Sequence, residues 1–235
     1  MSELTDSILR HLAAVNDERA TRAADHALGE RTLGVKRYQQ ARFERTYADL
    51  LAHPRYSGAS RFFLDELYGP ADFSRRDIQF ARIVPALVRL FPAEISHTVE
   101  ALAALHALSE QFDTEMARHV DSIPLDAAQY VRAWQRTGHP EQRARQIDLM
   151  LTVGRALDIF TQRPWLRHSL RMMRMPARAA GMQALQSFLE SGFDTFFEMH
   201  GAAEFLAQIE ARERAFGACL FRAEPSETCL LGQLP

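Results

Sequence analysis

Lysine is almost missing from this chain. Lys36 is the only one in 235 residues, and arginine carries nearly all the positive charge. The formal net charge of −2 gives no global attraction to nucleic acid or to an anionic membrane, and no nucleic-acid partner is expected. Cysteine is scarce too. Cys219 and Cys229 are too few, and wrongly spaced, for a disulfide scaffold or a structural zinc site. Long apolar runs are lacking: nothing approaches the ~18 uninterrupted apolar residues of a membrane span, so no transmembrane segment is expected. The opening Met1–Arg19 carries acids early and has no apolar centre, which is not the pattern of a signal peptide. A cytoplasmic location is the default that remains. Runs of alternating β-branched residues are absent, which excludes a sheet protein. HExxH, a nucleophile elbow, a P-loop and a dinucleotide fingerprint are absent as well, so no recognised catalytic motif directs the reading.

What is present is helical spacing. Hydrophobic residues make up 47% of the chain and charged residues 25%, the balance of a globular protein with a sizeable core. The expected fold is all-α: a multi-helix bundle with a single helical domain over 1–222 and a disordered tail over 223–235. Its first 52 residues form a long helical segment, rich in Ala, Leu, Arg and Glu from Thr5 to Ala52. Unbroken, that segment reaches about 70 Å at ~1.5 Å per residue, against a domain diameter near 45 Å. It must bend, with Gly29 and Gly34 as the candidate positions, or project and pair with a second copy.

Prolines and glycines punctuate the rest. Gly69-Pro70 stops a short helix over Arg61–Tyr68, and Ser74 caps the next with Asp77 in capping-box position. Pro85 predicts a kink, and Pro92 opens a helix through His119. Asp126 caps a short helix, and Gly138-His139-Pro140 is a stop and restart. The last two helices are read as Pro176–Met199 and Ala202–Arg222, divided at Gly201.

Two constellations stand out. On the helix around Leu102, the apolar stripe Ile95–Val99–Leu102 continues into His106, Ser109 and Asp113, with Glu110 at its edge. The helix after Pro140 repeats this oddity, with Asp158 on the stripe and Asp148 and Arg155 beside it. Buried polar side chains require partners. His106, Asp113, Arg155 and Asp158 are therefore read as one shared pocket, serving either a ligand or only one another as a structural network. No cofactor is predicted. Metal ligation by Glu94–His97 or His106–Glu110 lacks the second pair that a di-iron bundle needs, and haem ligation by His97 or His106 stays open. The second constellation is basic: Arg167, Arg171, Arg174 and Arg178 recur at helical steps beside Leu166, Leu170, Met172, Met173 and Met175. Such a face suits an anionic small molecule, an acyl or phosphate group, or a lipid surface, unless neighbouring acids neutralise it.

The string Arg61–Pro70 (RFFLDELYGP), followed by Asp72–Asp77 (DFSRRD), resembles a family of uncharacterised proteobacterial proteins. So do His106–Glu110 (HALSE), Arg145–Asp148 (RQID), Met173–Arg178 (MRMPAR) and Leu185–Phe193 (LQSFLESGF). The likeness covers about residues 45–221. It implies neither an activity nor any catalytic residue. Three readings of function therefore stand: a homodimeric scaffold or regulatory protein, a binder of a small anionic or amphipathic ligand, and an enzyme or metalloprotein centred on His106.

Overall fold

The computed structural model describes residues 2–67, 69–222 and 233–235, with the side chain of Leu67 left aside. The described residues form helices joined by short turns, without a strand, so the fold is all-α. In chain order the helices are α1 (Glu3–Ala24), α2 (His26–Thr46), α3 (Ala48–Ala52) and α4 (Ser57–Phe62), which runs on into a π-helical turn at Phe63–Leu67. Then come α5 (Ser74–Leu90), α6 (Ala93–Arg118), α7 (Ala127–Thr137) and α8 (Pro140–Thr161). The last four are α9 (Pro164–Met172), α10 (Arg174–Ala179), α11 (Gln183–Glu198) and α12 (Ala203–Leu220). None of the helices among the described residues is long and apolar enough to cross a membrane.

The central pair is α6 and α8. Helices α1 and α2 pack on α6, while α11 and α12 pack on α8. The N-terminal segment breaks at Asp25 and not at a glycine. Asp25 takes an extended conformation, and its carboxylate accepts from the Leu28 N–H at 3.0 Å, capping α2. Gly29 and Gly34 lie inside α2. The apolar face of α1 (Ile8, Leu12, Val15) is buried within the chain, in part against α5 and α6. The length argument for a projecting helix therefore loses its premise.

Other breaks follow the local chemistry. Asp126 and Gln129 form a reciprocal capping box at the start of α7. Gly138 at φ 69° and left-handed His139 turn the chain, and Pro140 starts α8, where its missing N–H costs nothing. At α5 the reading needs correction. Ser74 is the first helical residue, and Asp72 accepts from its N–H at 2.9 Å, so Asp77 is free of capping duty. The helix runs through Pro85. The proposed helix from Pro176 to Met199 is divided at residues 180–182 into α10 and α11.

The largest core cluster joins Tyr47, Phe63, Leu151, Phe196, Met199 and Phe205. Gly154 lets α8 lie close on α12: a Cβ there would stand 2.6 Å from Leu206 Cδ2. The expected disordered tail falls outside the described residues over 223–232. Of the three residues beyond, Leu234 is buried in a cluster with Val35, Tyr38 and Leu220. Cys219 is buried and disulfide-bonded.

Candidate functional site

Six helices, α1, α2, α5, α6, α8 and α12, bring charged side chains together. Asp77, in the first turn of α5, is buried and accepts from His106 Nε2 on α6 at 2.8 Å and from Arg19 Nη2 on α1 at 2.6 Å. Arg76 Nε adds a longer contact at 3.4 Å. Burial alone would raise its pKa. The hydrogen bond and charge of His106, with Arg19 and Arg76, hold the carboxyl down at about 2.

One turn along α6, Glu110 is also buried. It accepts from Arg22 Nη2 at 2.5 Å and from Lys36 Nζ at 2.6 Å. Burial again pushes its pKa up, and the charges of Lys36 and Arg22 outweigh it, leaving the carboxyl at about 2. Asp113 is the contrast. Lys36 Nζ lies 3.6 Å away, beyond hydrogen-bond range, and burial pushes this carboxyl up towards its neutral form. Deeper in, Glu213 of α12 accepts from both terminal nitrogens of Arg42 at 2.5 and 3.2 Å and from Tyr47 Oη at 2.6 Å. Burial disfavours the Arg42 charge, but Glu213 more than compensates and raises its pKa. Arg143 is sandwiched between Phe112 and Trp134, 3.8 Å from each ring centre.

These groups border a graded set of cavities. A polar cavity of about 320 Å³ is lined by Lys36, His106, Ser109, Glu110, Asp113 and Arg143, among others. A smaller one of about 100 Å³ has Asp77 and His106 at one end and Leu87, Leu102 and Leu189 in its walls. The third, about 220 Å³, is walled almost wholly by apolar groups, including Phe62, Phe63, Val153, Leu157, Phe188 and Phe193. Met150 lines all three. His106 and Ser109 border the first two; Leu102, Leu105 and Phe188 border the last two.

The pocket expected from sequence is thus half assembled. His106 and Asp113 face the polar cavity, whereas Arg155 and Asp158 line a separate recess beside α12. Asp158 accepts from the Ala202 N–H at 3.0 Å, at the entry to α12, and Arg155 pairs with Glu210 at 3.1 Å. Asp148 pairs with Arg214. The neighbour that Asp158, half-buried on the stripe, and exposed Asp148 and Arg155 beside it meet is α12 and not α6. His106 and Glu110 are each turned to other partners, and exposed His97 lies 3.6 Å from Glu100, so neither pair points its two members at a common centre. Among the described residues no group of three or more His, Cys, Asp and Glu side chains is placed to hold a metal ion.

The basic face is also divided. Met173 separates α9 from α10, Arg167 pairs with Asp194 at 3.1 Å, and Arg174 pairs with Glu190 at 2.6 Å. Arg171 and Arg178 are exposed and form no ion pair among the described residues, although the Arg171 charge helps lower the pKa of Glu190.

Sequence reasoning missed Asp77, Lys36, Arg42, Arg143 and Glu213. Asp77 carried a signal that was assigned to a cap. Lys36 carried one in its singularity. No curated protein and no solved structure matches the chain. A family model described as Domain of unknown function (DUF8198) matches residues 18–227, and the chain belongs to that family.

Proposed function

We propose that this protein binds a small amphipathic molecule, with an acceptor-rich head such as a carboxylate in the polar cavity and an apolar tail in the aromatic one. The observation that carries this reading is the gradation of three neighbouring cavities around Met150, from charged to almost wholly apolar walls. Ligand sites commonly combine an apolar enclosure with a few placed polar groups. The carboxylates Glu110 and Glu213 are already held by cations, so the polar cavity presents donors. One is Trp134 Nε1, which is buried without a hydrogen-bond partner among the described residues. Donors left in a wall favour a head that accepts.

The test is a chain-length series of alkyl carboxylates binding to the purified protein. Affinity should rise by roughly 0.8 kcal/mol, about fourfold, for each methylene that enters the apolar cavity. Filling that cavity by Val153→Trp should flatten the series while circular dichroism shows the helices intact. Affinity independent of chain length in the unaltered protein would sink the reading.

A further inference from the structure

The apolar cavity lies beneath an unusual piece of surface. The stretch 159–189 holds five arginines and no aspartate or glutamate. Within it, α9 and α10 expose Trp165 (48%), Met172 (65%), Met173 (52%) and Met175 (73%), and every residue from Arg171 to Pro176 is exposed. Large apolar side chains normally leave water on folding, so a run of them in the open marks a contact surface. Met173 also lines the apolar cavity. So does Phe91, 40% exposed, which follows exposed Leu90 at the end of α5. The cavity rim and the exposed apolar surface therefore share residues.

We infer that α9–α10 is a docking surface for an anionic lipid membrane, through which the apolar cavity exchanges its ligand. The proposal rests on the amphipathic-ligand reading and adds the source of that ligand. Charge complementarity selects the occupant. Glu190 and Asp194 pair with Arg174 and Arg167, while Arg171 and Arg178 stay exposed and form no ion pair among the described residues, flanking the methionines. Arginines beside Trp and long apolar side chains on short helices form the pattern of an interfacial anchor, which seats its apolar groups ~5–10 Å into the headgroup boundary. A second copy of the same basic surface would repel it, and a neutral apolar partner would not use the arginines.

Vesicle flotation tests this directly. The full chain should float with vesicles of equal parts phosphatidylcholine and phosphatidylglycerol and stay behind with phosphatidylcholine alone. Emission from Trp165 should shift to the blue on the anionic vesicles, and the shift should vanish in Trp165→Phe. The double variant Arg171→Gln/Arg178→Gln should weaken binding on the order of tenfold or more, since each arginine near such a surface contributes about one unit of 1 kcal/mol. Equal flotation on both vesicle types, an unaffected double variant, or binding to an acidic protein with no vesicle association would each overturn the proposal. The alkyl-carboxylate series, measured without vesicles, separates the two ideas. If the series keeps its slope while flotation fails, the docking surface falls and the cavity reading stands.

Discussion

His106 Nε2 donates to Asp77 Oδ2 across 2.8 Å, joining α6 to the first turn of α5 between two cavities of opposite character. With Asp77 ionised, a ring proton sits on Nε2 and points at the carboxylate. Arg19 Nη2 donates to the same oxygen at 2.6 Å. Replacing Asp77 by Asn should loosen both contacts. We expect a drop in stability of about 2–3 kcal/mol in urea unfolding, with His106→Gln costing less because Arg19 keeps its acid. Equal stability of Asp77→Asn and the unaltered chain would show that the cluster contributes nothing.

Acid should unfold the protein through the same residues. The Asp77 and Glu110 carboxyls are depressed from ordinary values of 3.8 and 4.5 to about 2. A depressed carboxyl contributes stability that is complete above its unfolded pKa and is lost as pH falls through its folded pKa. The window therefore runs from about 4.5 down to 2, and each group accounts for roughly 2–3 kcal/mol across it. Urea midpoints measured between pH 5 and 2 should fall steeply. In Asp77→Asn/Glu110→Gln the same curve should be much flatter.

Asp113 carries the opposite sign. Its raised pKa means that ionisation opposes folding above the ordinary carboxylate range. Asp113→Asn should leave stability at pH 7 unchanged or increase it in urea unfolding. A loss of several kcal/mol on this substitution would show that the carboxylate is a structural ion.

Lys36 serves two acids at once, at 2.6 Å from Glu110 and 3.6 Å from Asp113. Lys36→Met should cost about 3–5 kcal/mol, because the buried Glu110 carboxylate loses one of its two cations, and should lower Tm on the order of 10 °C for a chain of this size. Adding Asp113→Asn to Lys36→Met should recover part of the loss. Independent, additive effects in that double-mutant cycle would contradict a shared site.

The approach of α8 to α12 gives a packing test. Gly154→Ala places a methyl 2.6 Å from Leu206 Cδ2, in a core where Leu206 is buried. Alanine's helix preference over glycine returns up to about 1 kcal/mol, so the net cost should be modest, ~1 kcal/mol. Leu206→Val in the Gly154→Ala background should relieve it. The reverse order, with the double variant worse than either single one, would place the clash elsewhere.

Periodicity made the helices legible and left their partners hidden. Asp126 with Gln129, and Gly138-His139-Pro140, state a start and a stop within a few residues, and the structure uses both. Asp25 was missed because its break depends on one carboxylate capping the next helix inside an otherwise uninterrupted helical composition. The buried face bearing His106 and Asp113 was readable from spacing alone. That Asp158 turns instead to the start of α12 was not, since stripe membership says only that a side chain points inward. Glu110 meets Lys36 across 74 positions of sequence, and Arg42 meets Glu213 across 171. Nothing local announces such pairs.

The scarcity of lysine turns out to have an experimental use. Lys36 is the only side-chain amine in the protein, and it sits in the wall of the polar cavity between Glu110 and Asp113. An amine-selective reagent therefore reads a single internal position, apart from the chain terminus. Its rate of modification clocks how often that cavity opens, and its protection by a bound molecule gives occupancy without any engineered label.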